Sequence, residues 1–240
     1  MTLQALIFDV DGTLADTEAA HLAAFNHAFA EAGLEWRWDT TLYTELLDIS
    51  GGKERMAHYW QLTRGKVIDI GGAGLRDTLD HLHALKTAAY EAMVLDGAVA
   101  LRPGVLRLLS EAQAQGLHLA IATTTSPVNI AALLRRAIGP DWRTHFVAIG
   151  DASTAPIKKP HPQVYHQMLA ALRLPADACL AFEDSSNGLR AATAAGIATL
   201  VTPNSFTAHH DFSGALRVVP DLQQVHLAQL RAWHRAPVAH

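Results

Sequence analysis

Residues 5–13 read ALIFDVDGT, an apolar run of four residues followed by two aspartates, a glycine and a threonine. A short apolar run that ends in turn residues is typical of a buried β-strand. Similar runs follow at residues 118–122, 146–149, 179–182 and 198–201. Helical patterns separate most of these runs, and alternating strands and helices form parallel sheets that are covered on both faces. The sequence therefore predicts an α/β fold with a Rossmann-like, doubly wound parallel sheet.

One connection in this pattern is far longer than the others. About a hundred residues separate the first predicted strand from the second, and this interval contains helical patterns at residues 17–32, 53–62 and 75–94 but no convincing strand. We therefore predict an inserted α-helical cap domain at residues 17–95, above the carboxyl edge of a core domain formed by residues 1–16 and 96–240. The glycine-rich residues 71–74 follow no predicted strand, so we interpret them as a turn and not as a phosphate-binding loop.

The composition narrows the class of protein and of partner. Half of the residues are hydrophobic and the net charge is −4, which favours a packed core and disfavours nucleic-acid binding, because phosphate backbones are bound by a surplus of basic residues. No stretch approaches the roughly 18 apolar residues of a membrane-spanning helix, and the first residues lack the pattern of a signal peptide. Cys179 is the only cysteine, so no internal disulfide can form. We expect a monomer in the reducing cytoplasm of a bacterium, without a nucleic-acid or membrane partner.

Charged and hydroxyl side chains follow the predicted strands at the edge where parallel sheets bind ligands. Asp9 and Asp11 follow the first strand, Glu183 and Asp184 follow the fourth, and Lys159 lies in the loop after the third. The second strand is followed by hydroxyl residues at 123–126, whose backbone N–H groups at 123–125 we expect to donate to a bound anion. Four carboxylates against one ammonium group would repel one another, and Mg2+ is the natural counter-ion for an oxygen site that also binds phosphate.

These motifs resemble the four motifs of the haloacid dehalogenase-like phosphatase superfamily. In the order of that family they are Asp9-Val10-Asp11-Gly12-Thr13, Thr123, Lys159-Pro160 and Glu183-Asp184. Together they span nearly the whole chain. Within the superfamily the sequence is similar to the branch of CbbY-like and beta-phosphoglucomutase-like proteins, through Asp16-Thr17-Glu18, His21, Gly51-Gly52-Lys53-Glu54-Arg55, Thr123-Thr124-Thr125-Ser126 and Glu183-Asp184-Ser185-Ser186-Asn187-Gly188.

The resemblance implies a Mg2+-dependent sugar-phosphate phosphatase that works through an aspartyl-phosphate intermediate. Asp9 would be the nucleophile, and Asp11 would protonate the leaving group and then deprotonate the attacking water. This role requires either a raised pKa at Asp11 or a proton that is supplied when the substrate binds. Thr123 and Lys159 would stabilise the transferring phosphoryl group. The implied metal ligands are Asp9, Asp11 through its backbone carbonyl, Glu183 and Asp184.

The branch also implies a substrate, xylulose 1,5-bisphosphate, whose removal relieves an inhibited Rubisco and supports the Calvin cycle. A sugar with two phosphates needs a second anion site, and the cations of the predicted cap are candidates for it. The substrate contacts that we predict are Glu18, His21, Gly51, Gly52, Lys53, Arg55, His83, Lys86, Thr124, Ser126 and Asn129. The cap cations could instead be exposed surface charges.

Two other functions fit part of this pattern. A phosphomutase of the beta-phosphoglucomutase kind would share the core motifs, but Glu54 stands where the mutase usually has an arginine, which disfavours it. A phospho-switch comparable to a receiver domain would accept phosphate on Asp9 only to change a binding surface. The helical insertion and Asp11 disfavour the switch, because a receiver needs neither a substrate lid nor a second aspartate that moves protons.

Overall fold

The computed structural model describes residues 2–63 and 74–235, and within them one sheet of parallel strands forms the centre of the molecule. Its strands are β1 (Ala5–Phe8), β2 (His118–Ala122), β3 (Ala148–Gly150), β4 (Cys179–Glu183), β5 (Ala198–Val201) and β6 (Arg217–Val218). Their spatial order is β3-β2-β1-β4-β5-β6. The strand β1 lies between β2 and β4, with Ala5 in register with His118 on one side and Cys179 on the other. The predicted α/β fold with a doubly wound parallel sheet is confirmed.

The two faces of the sheet bury alternate residues of each strand, as the two-residue period of a strand requires. On one face Leu6 and Phe8 join the larger core, where the Phe8 and Phe182 rings stack at a centroid distance of 4.4 Å. On the other face Ala5 and Ile7 join a smaller core. Helices cover both faces: α5 (Val105–Ala114), α6 (Pro127–Ile138), α7 (Gln163–Leu172), α8 (Ser186–Ala194) and α9 (Leu227–Arg235).

Two predictions about the strands were wrong in detail. The third strand begins at Ala148 and not at residue 146, because the single turn of 3-10 helix Trp142–His145 continues into Phe146, whose N–H group donates to the carbonyl of Arg143. The edge strand β6 was not predicted at all. It consists of two exposed residues, Arg217 and Val218, which form no apolar run.

The long interval between β1 and β2 is helical in its described part. It contains α1 (Glu18–Glu31), α2 (Thr40–Leu46), α3 (Gly52–Leu62) and α4 (Leu75–Leu95). The helix α2 was missed because it spans only seven residues. Its start is set by Asp39, whose carboxylate accepts the N–H of Leu42 at 2.8 Å. Most of the predicted turn at residues 71–74 lies outside the described residues.

This helical segment has an aromatic core of its own. Phe25, Phe29, Trp38 and Tyr43 are buried together, with Phe25 and Trp38 at a centroid distance of 4.8 Å. The segment also contacts the sheet domain, because Tyr90 and other residues of α1 and α4 belong to the larger core. Among the helices of the described residues, none combines the length and the apolar character that crossing a bilayer requires.

Candidate active site

A cavity of about 500 Å³ lies at the carboxyl edge of the sheet, between the strand ends and the helical segment. Every residue that the sequence predicts for the site lines this cavity. From the core these are Asp9, Asp11, Thr123, Thr124, Ser126, Asn129, Lys159, Glu183 and Asp184. From the helical segment they are Glu18, His21, Gly51, Gly52, Lys53, Arg55, His83 and Lys86.

Three buried carboxylates form the base of the cavity. Asp9 directly follows β1, and Glu183 and Asp184 stand at the end of β4, which pairs with β1, so the backbone itself brings them together. One oxygen from each carboxylate lies within 4.8 Å of one oxygen from each of the other two. The Oε2 atom of Glu183 is buried without a hydrogen-bond partner among the described residues. This set of oxygen donors fits a hard divalent cation such as Mg2+.

Lys159 supplies the positive charge beside these carboxylates. Its buried ammonium group donates to Oδ1 of Asp9 at 2.7 Å, to Oε1 of Glu183 at 2.6 Å and to the carbonyl of Ala122 at 2.9 Å. All three donor hydrogens therefore have acceptors. Burial alone would lower the pKa of Lys159, but the carboxylates of Asp9 and Glu183 outweigh it and raise that pKa above its ordinary value. Lys159 is thus a fixed positive charge at neutral pH.

Tyr165 contacts the same glutamate from the other side, and no sequence motif predicts this contact. The hydroxyl of Tyr165 donates to Oε1 of Glu183 in a short hydrogen bond, and Nζ of Lys159 lies 5.5 Å from the centre of the Tyr165 ring. Burial raises the pKa of Tyr165 well above its ordinary value, so the phenol stays protonated and acts as a donor. Oε1 of Glu183 therefore accepts two hydrogen bonds, whereas Oε2 accepts none from the described residues.

The carboxylates resist ionisation where they stand. Burial raises the pKa of Asp9, although Lys159 opposes the shift. Burial and the neighbouring charges of Asp9 and Glu183 raise the pKa of Asp184 well above its ordinary value. Burial likewise raises the pKa of Glu183. One ammonium group does not compensate three buried carboxylates, whereas a divalent cation on their oxygens would favour the ionised forms.

Asp11 lies next to this cluster and is held by a different set of contacts. The Nε2 atom of His21 is 3.0 Å from Oδ1 of Asp11, and Nζ of Lys86 is 2.8 Å from Nδ1 of the same ring. Because an ammonium group can only donate, Nδ1 accepts, and the proton of a neutral His21 is on Nε2, directed at Asp11. Burial raises the pKa of Asp11, but the charge and hydrogen bond of His21 outweigh burial and lower it below its ordinary value.

Of the two alternatives that the sequence left open for Asp11, the structure does not show the raised pKa. The physical reason is that the carboxylate accepts a hydrogen bond and lies close to positive charge, both of which stabilise its ionised form. The other alternative from the sequence analysis, in which Asp11 receives its proton when the substrate binds, stays a prediction.

The loop of hydroxyl residues after β2, residues 123–126, matches its prediction only in part. The N–H group of Thr123 donates to the carbonyl of Gly150 at 3.0 Å, so the expectation that it donates to an anion is wrong. Its hydroxyl accepts the N–H of Thr125 at 3.4 Å and keeps its own hydrogen. Ser126 caps α6 by accepting the N–H of Asn129. The Oδ1 atom of Asn129 is buried without a partner among the described residues, and the residue lines the cavity.

Arg55 and Glu18 are engaged within the helical segment. The Nε and Nη2 atoms of Arg55 donate to the carbonyls of Leu46 and Ile49, and Nη1 donates to the hydroxyl of Tyr43. The same hydroxyl donates to Oε2 of Glu18 at 2.6 Å. Arg55 lines the cavity, but one N–H group on each of its three guanidinium nitrogens is already bound within the helical segment.

Two lysines at the opening of the cavity form more exposed ion pairs. Lys53 contacts Asp80 at 2.6 Å, and Lys158 contacts Glu54 at 2.6 Å across the two parts of the molecule. Lys158 is therefore not a purely solvated neighbour of Lys159. Close by, burial and the charges of the surrounding lysines lower the pKa of His83 to about 4, so its ring is neutral at neutral pH.

The glycines before α3 give this edge its tight packing. Gly51 has a φ of +100°, which favours glycine, and a Cβ there would overlap with the end of the Glu54 side chain. Beside it, a Cβ on Gly52 would crowd the ring of His83, at 3.2 Å. Gly51 therefore allows a charged side chain to approach the backbone, and Gly52 does the same for the neutral ring of His83.

With this geometry established, the chain can be compared with known proteins. Residues 3–196 match the protein family described as haloacid dehalogenase-like hydrolase. The chain belongs to that family. It is a phosphatase, a phosphoric monoester hydrolase, as the sequence motifs predict.

Its relatives include proteins named CbbY. Protein CbbY of Cupriavidus necator is 53% identical over an alignment that covers 97% of this chain and 97% of that protein. The crystal structure of CbbY from Rhodobacter sphaeroides in complex with phosphate superimposes with a TM-score of 0.87 at 41% identity, covering 95% of this chain and 99% of the other. A mutant of that CbbY, solved in complex with xylulose-(1,5)bisphosphate, superimposes with the same TM-score, identity and coverage.

Proposed function

We propose that this protein is a Mg2+-dependent phosphatase that hydrolyses a sugar bisphosphate, with xylulose 1,5-bisphosphate as the preferred substrate, through a phosphoryl group held on Asp9. The observation that carries the proposal is the position of Asp9. Its carboxylate lies in the cluster with Glu183 and Asp184, and Lys159 fixes one of its oxygens at 2.7 Å. Asp9 lines the cavity, and its other oxygen does not take part in this contact with Lys159.

The ligands proposed for Mg2+ are the carboxylates of Asp9, Glu183 and Asp184, with the backbone carbonyl of Asp11. When bound, Mg2+ would offset the negative charge of the phosphoryl group and of the nucleophile, which otherwise repel each other. The buried and unpartnered Oε2 of Glu183 supports this assignment, because such an atom needs a positively charged or donating partner.

The proposed reaction has two steps in which this chain supplies every group that moves a proton. In the first step an oxygen of Asp9 forms a bond to phosphorus, the ester bond breaks, and Asp11 gives a proton to the leaving alkoxide. In the second step water attacks the same phosphorus, Asp11 takes the proton of the water, and Asp9 and inorganic phosphate are released. The Thr123 hydroxyl and the Lys159 ammonium group would stabilise charge on the phosphoryl oxygens.

The proton for the first step must reach Asp11 although its pKa is low in the free protein. His21 donates a hydrogen bond to Asp11 and is itself contacted by Lys86. A proton can therefore move from these two groups toward Asp11 when the charge in the cavity changes. A phosphate dianion and a sugar hydroxyl entering the cavity would provide such a change, since added negative charge raises the pKa of a neighbouring carboxyl group.

The choice of a bisphosphate rests on the cations at the cavity opening and on the relatives. Lys53 and Lys158 line the cavity there. Among the relatives, the mutant CbbY from Rhodobacter sphaeroides was solved in complex with xylulose-(1,5)bisphosphate. We further propose residues 17–95 as a cap domain over a core of residues 1–16 and 96–240. The aromatic core around Phe25 supports a separate cap. A monomeric state and a place in the bacterial cytoplasm stay predictions.

A phosphate-release screen tests this function. Mono- and bisphosphorylated pentoses and hexoses would be assayed with Mg2+ and with a chelator, and we expect Mg2+-dependent release of one phosphate, fastest from xylulose 1,5-bisphosphate. Asp9→Asn is expected to abolish turnover while the far-ultraviolet spectrum stays unchanged. Turnover by Asp9→Asn at the rate of the unaltered protein would remove Asp9 as the nucleophile. Isomerised sugar phosphate without free phosphate would instead identify a mutase.

A further inference from the structure

Asn204 reaches one of the candidate metal ligands from outside the active-site cavity. It lies in the segment that follows β5 and lines a separate cavity beside Arg102 and Phe206. Its Nδ2 atom donates to Oδ2 of Asp184 at 2.8 Å. No sequence motif and no predicted contact included this residue. Its amide therefore acts on the carboxylate cluster without touching the space that a substrate would fill.

The orientation of the Asn204 amide is fixed at both of its ends. Its Oδ1 atom accepts the N–H of Phe206 at 2.8 Å, so the amide nitrogen must be the atom that faces Asp184. The backbone N–H of Asn204 donates to the hydroxyl of Thr207 at 3.1 Å. A side chain held by its own turn in this way loses little further freedom when it binds Asp184.

Arg102 fastens the same segment to the first motif. Its buried guanidinium group donates through Nη1 to the carbonyls of Gly12 and Thr202, each at 2.5 Å, and through Nη2 to the carbonyl of Pro203 at 2.8 Å. Gly12, which has a φ of +78°, lies so close to Asp184 that a Cβ on it would overlap with Oδ2 of Asp184. The Gly12 loop, the segment before Asn204 and the Asp184 carboxylate are therefore packed as one unit.

This packing has a consequence for the free oxygen of Asp184. With Oδ2 bound to Asn204, the carboxylate cannot turn about its χ2 bond without losing a buried hydrogen bond. One oxygen of Asp184 lies within 4.8 Å of an oxygen of Asp9 and of an oxygen of Glu183, so a carboxylate that cannot turn keeps this arrangement. Hydrogen bonds of this kind to a metal-ligating carboxylate commonly determine its orientation and the affinity of the site.

We infer that Asn204 is a positioning residue that orients Asp184 for the binding of the divalent cation. This inference rests on the proposed metal site and adds to it a residue that touches neither the cation nor the substrate. Asn204 is itself positioned by Arg102, which donates to the carbonyls of Thr202 and Pro203 in the segment before it.

Two substitutions at position 204 separate orientation of Asp184 from stabilisation of the turn. Asn204→Ser keeps an oxygen that can accept the N–H of Phe206 but is too short to reach Asp184. Asn204→Ala removes both contacts. Ser205→Ala, in the same segment with an exposed side chain, is the matched control. Mg2+ affinity of each purified protein would be measured by isothermal titration calorimetry, which requires no turnover.

We expect both Asn204 variants to bind Mg2+ about 10- to 100-fold more weakly than the unaltered protein, as for other partners of metal-ligating groups, and Ser205→Ala to bind it equally well. Unchanged affinity in Asn204→Ser would overturn the inference, and so would weaker binding in Asn204→Ala alone, since Asn204 would then act only on the turn. Asp184→Asn tests the metal site itself. If the unaltered protein and Asp184→Asn bind Mg2+ equally, the proposed metal site fails, whatever the result at Asn204.

Discussion

Replacing Lys159 by methionine should destabilise the metal-free protein strongly, whereas the same change at the adjacent Lys158 should not. Lys159→Met leaves the carboxylates of Asp9 and Glu183 buried without their ammonium partner. Removing one member of a buried ion pair costs about 3–5 kcal/mol. Lys158 pairs with Glu54, whose side chain is 48% exposed, and such a pair contributes only about 0–1 kcal/mol.

These free energies convert into separable melting temperatures. In a protein of this size a loss of 1 kcal/mol lowers Tm by about 2–4 °C, so Lys159→Met should lower Tm by roughly 6–20 °C and Lys158→Met by no more than about 4 °C. Thermal unfolding followed by circular dichroism at neutral pH, with a chelator present, measures both. Methionine keeps most of the aliphatic volume of lysine, so the comparison isolates the charge.

Added Mg2+ provides an internal check on the cause. If the loss in Lys159→Met comes from uncompensated carboxylates, a divalent cation bound to them should recover part of the lost Tm, because ligands that bind only the folded state stabilise it. Equal and small shifts in Lys159→Met and Lys158→Met would refute the reasoning that Lys159 is the counter-charge of the cluster. A large shift that Mg2+ does not reduce would assign the loss to packing.

Three further predictions concern the same region. Gly188→Ala would place a Cβ on Oε2 of Glu183, so we expect a stability loss of about 1–3 kcal/mol and weaker Mg2+ binding in calorimetry; unchanged binding would show that Oε2 is not a ligand. Arg55→Met should lower the free energy of unfolding by on the order of 3 kcal/mol because buried hydrogen-bonding groups lose their donor, whereas Lys53→Met, at an exposed ion pair, should change it by less than about 1 kcal/mol; urea unfolding of both variants tests this difference. The metal-free protein should lose stability as the pH rises from about 6.5 to about 8, because Asp184 and Glu183 have raised pKa values when folded and hold protons that the unfolded chain has released. Below this range the lowered pKa of His83 acts in the opposite direction, so a Tm that is constant from about pH 6.5 to about pH 8 would contradict the shifts of the two carboxyl groups.

The part of the fold that could be predicted from sequence is the part built from buried, uninterrupted apolar runs. The strands at residues 5–8 and 118–122 match the structure because each run is apolar and is followed by polar motif residues. The edge strand Arg217–Val218 could not be predicted, since its two exposed residues form no apolar run and are a strand only through their pairing with β5. The helix α2 lacks length and depends on the cap provided by Asp39.

The candidate site divides in the same way. Its carboxylates were predictable because they stand at or just after the ends of strands, and Lys159 because it lies in the loop after β3, at the edge where the topology of a parallel sheet brings distant motifs together. Tyr165 and Asn204 were not, because each contacts the site from a helix or a turn in which nothing in the local sequence marks the direction of its side chain. The direction depends on how α7 and the segment after β5 pack, which is a property of the tertiary structure.

The charges of the cavity support the proposal that one site both holds a cation and selects a doubly phosphorylated sugar. Three carboxylates and the ammonium group of Lys159 leave a formal charge of −3 + 1 = −2 at the base, which one divalent cation balances. A second phosphate must therefore find its positive charge elsewhere. Arg55 donates to the helical segment itself, whereas the ion pairs of Lys53 and Lys158 within the described residues are with carboxylates on side chains that are about half exposed. Exposed ion pairs are weak, so these two ammonium groups can exchange their partners for a phosphate at little cost, whereas the buried Lys159 cannot.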